Sequence, residues 1–160
     1  MTKPLMILIA GPYRSGTGDD PLLLRRNLDR LEEAAWPIFA AGHLPVIGEW
    51  VALPVLASAG AAGLSDPLAE AVMYPTAQRL LQHCDAVLRL PGASTGADAD
   101  VALAEQLGLP VHTRLEDIPG VGPAEPHESI TKAQRRTVAA DPTSTDLPVR
   151  PGVSLTAAPR

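Results

Sequence analysis

"LIAGPYRSGTGDD", residues 8–20, governs how the rest of the chain reads. It overlaps the end of the most apolar run in the chain, Leu5 to Ala10, and breaks at once into glycines, one arginine and two aspartates. A short run without polar interruption suits a strand whose two faces are both covered, as in a parallel sheet. The glycine-rich turn that follows leads into Asp20 and Pro21, a helix start, and such a junction aims backbone N–H groups at an anion. Two familiar phosphate motifs nevertheless fail. Gly11 and Gly16 have the spacing of a triphosphatase loop, but Thr17 stands at its lysine position, and only Gly16 and Gly18 fit the dinucleotide pattern. The loop's one cation is Arg14, whose fork suits a phosphate or a carboxylate. A plain strand-to-helix turn with a solvated arginine is the other reading of the same residues.

Downstream of this loop, strands and helices alternate. Leu24, Leu28, Leu31, Ala35 and Phe39 fall on one helical face, with Pro37 placed to kink that helix and Gly42 to stop it. "LPVIGEW" reads as a second strand ending in Glu49 and Trp50, whereas residues 51–65 carry no decisive pattern. A second helix is expected over about 66–83, with Pro67 in its first turn and Leu68, Val72, Thr76 and Leu80 facing inward. "DAVLRL" reads as a third strand, "PGASTG" as its loop, "ADADVALAEQLG" as a third helix and "LPVHT" as a fourth strand. Alternation of this kind predicts an α/β fold of flavodoxin or Rossmann type, a parallel sheet with helices on both faces. Its ligands should collect outside the carboxyl ends of the strands, where strand order reverses. The loops at Gly11 to Asp20, from Glu49 onward and at Pro91 to Ala97 would open there.

Composition limits the function classes. The chain has 160 residues, 46% of them hydrophobic, enough for one domain with a real core. A net charge of −5 argues against nucleic-acid polymers and anionic membranes. One cysteine, Cys84, excludes an internal disulfide framework and reads as a small buried hydrophobe, and no ligand spacing suggests a metal. With no signal-peptide cleavage pattern and no membrane-length run, a cytoplasmic protein is expected. The domain is expected over 1–120. From about Val121 proline, threonine, alanine and serine dominate, and a disordered tail over 121–160 is expected, with room for a short helix around 130–138.

On a helix opening near Ala97, Asp100 shares a face with Ala97, Val101, Ala104 and Leu107 and interrupts an apolar stripe. Asp98 falls on the outer side, where the helix dipole favours an acid. Asp100, one turn in and beside a ligand crevice, is a candidate nucleophile or base, or else a hydrogen bonder at the edge of the core. Asp85 at the head of the third strand is a candidate acid or sugar-orienting group, or simply the end of the preceding helix. His43, in a helix-to-strand turn, reads as structural before catalytic. No Ser, His and Asp set assembles.

Taken together, "IAGPYRSG", "AGHLPV", "CDAVLRL" and Ser94-x-Gly96-Ala97-x-x-Asp100 resemble the nucleoside 2-deoxyribosyltransferase superfamily, most closely its DUF4406 branch, over about residues 5 to 113. The resemblance implies a flavodoxin-like enzyme that cleaves or transfers the N-glycosidic bond of a nucleoside or nucleotide without metal or organic cofactor, assembled as a homo-oligomer. It places the nucleophile four residues after the second-loop glycine, at Asp100. The relatives that hydrolyse 2'-deoxynucleoside 5'-monophosphates hold the phosphate through residues matched by Gly11, Arg14, Gly16 and Ser94. With Ser15, Glu49 and Gly96, and with Tyr13 covering the base, these form the expected binding site. Two departures matter: the superfamily's nucleophile is a glutamate, one methylene longer, and the aromatic that several members place two before "AGP" is Leu8 here. They keep a non-catalytic nucleotide-binding module as the alternative.

Overall fold

A computed structural model describes residues 3–122; the expected tail and its short helix lie outside them. Four strands form one parallel sheet in the order β2-β1-β3-β4, where β1 is Met6–Ala10, β2 Leu44–Ile47, β3 Ala86–Arg89 and β4 Val111–His112. Five helices, α1 Pro21–Glu33, α2 Ala35–Ala40, α3 Gly48–Ser58, α4 Leu68–Leu81 and α5 Thr95–Gln106, fill the connections. The α/β architecture expected from the alternation is the one observed.

β1 lies between β2 and β3, with Ile7 opposite both Pro45 and Ala86, so its apolar run is covered on every side. Successive residues of a strand face opposite ways. Ile7 and Ile9 accordingly join Ile47 and Leu88 in a core with Leu28 and Leu31 of α1 and Ile38 of α2. Leu8, Ala10 and Val87 join Leu81 of α4 and Ala97 and Ala104 of α5 in a second core across the sheet. Burying a leucine- or isoleucine-sized side chain in this way stabilises by about 1.5–3 kcal/mol. Helices on both faces are therefore what hides a sheet this apolar.

Local chemistry sets the element boundaries. The Asp20 carboxylate accepts from the amides of Leu22 at 2.8 Å and Leu23 at 3.4 Å, and Pro21 opens α1 behind it. Pro37 does more than kink the helix: its ring and missing N–H conflict with the carbonyl one turn back, and α1 ends at Glu33 before α2 begins at Ala35. The break shifts the helical phase. Ile38 turns inward, and Phe39, expected inside, is 59% exposed and packs on Trp36 with ring centroids 6.2 Å apart.

Two further boundaries differ from expectation. The second strand stops at Ile47, so Glu49 and Trp50 belong to the first turn of α3, and the undecided 51–65 stretch supplies the rest of that helix as far as Ser58. Pro54 inside α3 hid it in the sequence, whereas packing of α3 on α4 sustains it in the fold. On α4 the inward face runs through Ala69, not Leu68, which is 40% exposed. Asp66 sits just ahead of α4 and folds the preceding loop by accepting from Ala62 and Leu68 amides at 3.2 and 3.0 Å. His43 stitches the molecule at the other end of the sheet. Its Nδ1 accepts from the Leu5 amide at 3.2 Å, and its Nε2 lies 2.7 Å from the Pro119 carbonyl oxygen. Because that carbonyl can only accept, the ring is the neutral tautomer with its proton on Nε2. Val121 packs beyond this stitch against the first core, so the described fold runs past residue 120.

Candidate functional site

The strand order reverses at β1, with β2 on one side and β3 on the other, and a cleft of about 290 Å3 opens at the carboxyl ends of the strands there. Its floor is Leu8 to Gly11. One wall is the start of α3 at Gly48 and Glu49, another the start of α5 from Ser94 to Asp100, and a third comes from Ala69, Glu70, Met73, Tyr74 and Ala77 of α4. Tyr13, Arg14 and Ser15 form the lip.

Gly11 shows how tightly the floor is made. A Cβ there would stand 2.8 Å from Leu31 Cδ2 and 3.2 Å from Leu90 Cβ, so any larger residue would have to displace the buried Leu31 side chain where the chain leaves β1 between α1 and the end of β3. Gly16 does not line the cleft; its φ of 73° instead permits the left-handed turn that closes the loop. Thr17, at the position of the missing lysine, is buried: its hydroxyl donates to the Arg14 carbonyl at 2.6 Å and accepts from the Asp19 amide at 3.2 Å. Arg14 donates side-on to Asp19, Nε to Oδ1 at 2.6 Å and Nη2 to Oδ2 at 2.7 Å, which holds the Asp19 carboxyl below its usual range. Tyr13 is buried, and the Asn27 amide donates to its carbonyl at 2.7 Å. Burial, then the charge of Glu49, pushes the Tyr13 phenol upward.

Helix α5 opens two residues before the expected point, at Thr95. Ser94 is its N-cap, and the buried Ser94 hydroxyl accepts from the Ala97 amide at 3.2 Å. Ser94 and Gly96 both line the cleft. Asp100, one turn further on, points its carboxyl into the same space, where burial and then the charge of Glu49 push it up to about 7 against the pull of Arg89. Glu49 is also raised, by burial, with a backbone N–H partly offsetting the effect. Two carboxyl groups that share one poorly hydrated cleft titrate as a pair, so one keeps a proton where isolated acids would both be ionised.

Eight of the ten residues singled out in the sequence thus meet in one cleft, namely Gly11, Tyr13, Arg14, Ser15, Glu49, Ser94, Gly96 and Asp100. Asp85 does not join them. It is level with Met6 at the opposite end of the sheet, and four residues of strand to Arg89 span about 13 Å. There it accepts from the Met6 amide at 2.8 Å and pairs with Lys3 at 3.3 Å, and both lower its pKa. The acid that shares the cleft with Asp100 is therefore Glu49, not Asp85. Cys84 beside it is buried, with its thiol pushed up to about 11, chiefly by burial, which suits packing and not nucleophilic chemistry.

Sequence reasoning missed two contributors. Arg89, the one charged residue of β3, donates to the carbonyls of Leu90 and Gly92 and, at 2.8 Å, to Asp98, tying the second loop to the start of α5. An arginine inside an apolar strand was the available signal. Tyr74 and its neighbours on α4 carried none, because an apolar stripe reads as core until a cavity is found beside it. The chain has two tyrosines, and both line the cleft. Among the described residues, no group of three or more His, Cys, Asp or Glu side chains is placed to hold a metal ion, and no helix is long and apolar enough to cross a membrane. Neither the protein-family models nor the curated proteins compared with the chain give a match.

Proposed function

We propose that the chain cleaves or transfers the N-glycosidic bond of a nucleoside 5'-monophosphate, as a member of the nucleoside 2-deoxyribosyltransferase superfamily. The observation that carries the reading is the convergence of Asp100 and Glu49 in one cleft at the switch point of the sheet, with Asp100 raised to about 7. N-glycoside cleavage develops positive charge on the sugar and negative charge on the departing base. An ionised carboxyl and a protonated one, placed together, answer both needs.

In this reaction an Asp100 oxygen attacks the anomeric carbon, the bond from that carbon to the base nitrogen breaks, and its electron pair leaves with the base. The shared proton, which rests on Asp100, passes to Glu49 as Asp100 ionises to attack, and Glu49 gives it to the base. Water, or a second base in a transfer, then attacks the anomeric carbon and releases Asp100 as a carboxylate, and Glu49 takes up the proton of the attacking group. Arg14, Ser94 and the backbone N–H groups of Gly11, Tyr13, Arg14 and Ser15 hold the phosphate, and Tyr13 and Tyr74 flank the base. The cytoplasmic location expected from the sequence accompanies this reading, as does the homo-oligomeric state implied by the resemblance.

The test is base release from nucleoside monophosphates, followed chromatographically. Asp100→Asn should abolish most of it while nucleotide binding persists, and Glu49→Gln should lower it by about a hundredfold or more. Binding without base release by the parent, and unchanged affinity in Asp100→Asn, would establish the non-catalytic module instead.

A further inference from the structure

The Arg14 and Asp19 pair is built differently from an ordinary surface ion pair, in which two flexible side chains meet at little net gain. Asp19 has a φ of 61°, the one left-handed non-glycine residue among those described. Its backbone is locked there: Thr17 Oγ1 receives its amide, the Asp20 amide reaches the Thr17 carbonyl at 3.0 Å, and Asp20 caps α1. The carboxylate is therefore preset, and Arg14 comes to it. A guanidinium has five N–H groups. The side-on pair uses Nε–H and one Nη2–H, leaving both hydrogens of Nη1 and the second of Nη2 as an end-on edge.

Arg14 is also the one Lys or Arg among the residues lining the cleft, whose other charged groups are Glu49, Glu70 and Asp100. The one side-chain cation that can meet an anionic group there is therefore at the Arg14 lip, beside the amides of the first loop. Resting on the nucleotide reading above, we infer that Asp19 is a positioning residue that turns the end-on edge of Arg14 toward the ligand's 5'-phosphate and so gives the cleft its preference for phosphorylated over plain nucleosides. The acids at the far end exclude the phosphate from the reacting position, so the same arrangement orients the ligand with its anomeric carbon at Asp100.

The probes are the common 2'-deoxynucleoside 5'-monophosphates and the matching nucleosides, titrated calorimetrically against the parent, Asp19→Asn and Asp19→Gly. Asparagine and glycine both tolerate the left-handed backbone, so the loop keeps its path while the charged fork is lost. The parent should bind monophosphates more tightly than nucleosides. Both variants should lose about tenfold of that preference with nucleoside affinity unchanged, since charge-assisted bidentate pairs are strong and geometrically exacting. A preference that is unchanged or larger in the variants would mean that Asp19 merely competes with phosphate, and a parent without any preference would equally overturn the inference. Base release is read separately. A parent that cleaves nucleosides with no phosphate preference removes only this role of Asp19, and one that prefers monophosphates but releases no base removes only the glycosidic chemistry.

Discussion

An aspartate side chain has an ordinary pKa of 3.8, and at Asp100 burial beside Glu49 moves it to about 7. The folded state therefore holds this proton more firmly than the unfolded chain does. The stability tied to protonated Asp100 is complete below pH 3.8 and lost as pH rises through 7, where folding must bury a charge. Asparagine has the same shape and no charge. Asp100→Asn should thus melt like the parent near pH 3.5, gain on it between pH 4 and 7, and keep a constant advantage above pH 7. With about 1.4 kcal/mol for each pKa unit, that advantage should reach a few kcal/mol. Thermal melts across this range check it, and equal melting temperatures at pH 8 would mean that Asp100 is hydrated. Catalysis has the opposite slope: if ionised Asp100 is the nucleophile, base release should rise as pH increases through about 7. Gly11→Ala belongs to this scale too. A methyl 2.8 Å from the fully buried Leu31 side chain overpacks the site, and a loss of about 1–3 kcal/mol is expected in denaturant titrations.

The element that couples stability to the site is α5. Its first turn depends on the Ser94 hydroxyl accepting from Ala97, and its orientation on Arg89, which bridges Asp98 and the loop carbonyl of Gly92. Ser94→Ala should cost about 1 kcal/mol of stability, the usual worth of an N-cap. It should also weaken monophosphate binding, since Ser94 faces the cleft. Urea titration and calorimetry of the same variant read the two effects separately. A stability loss with unchanged affinity would make Ser94 a cap only. Helix α3 shows why its length escaped the pattern: it contains Pro54, and packing on α4, which itself carries Pro75 and was legible all the same, outweighs a residue that ends isolated helices.

On the scale of the molecule, the described residues supply two hydrophobic cores, one on each face of the sheet, and the His43 bond to Pro119. A chain shortened to residues 1–122 should therefore unfold cooperatively with a melting temperature close to the parent's, and a broad, non-cooperative melt would show that later residues belong to the core. Removing Val121 as well should cost stability, because Val121 packs on the first core. Sequence alone determined the parallel sheet, because a strand such as Leu5 to Ala10 can be continuously apolar only when both faces are covered, and it determined the start of α1, because Asp20 and Pro21 act on their immediate neighbours. It also marked Asp100, since a carboxylate in an apolar stripe shows in helical periodicity. Only the tertiary structure decided which acid accompanies it. Asp85 and Glu49 look alike in sequence, but one lies at the amino end of β3 and the other just past the carboxyl end of β2, two strands away in the same parallel sheet, and strand direction, a property of the assembled sheet, separates them. The same holds for Tyr74 and for the side-on fork of Arg14, because a cavity wall and an ion pair set by a left-handed backbone exist only once distant segments are packed together.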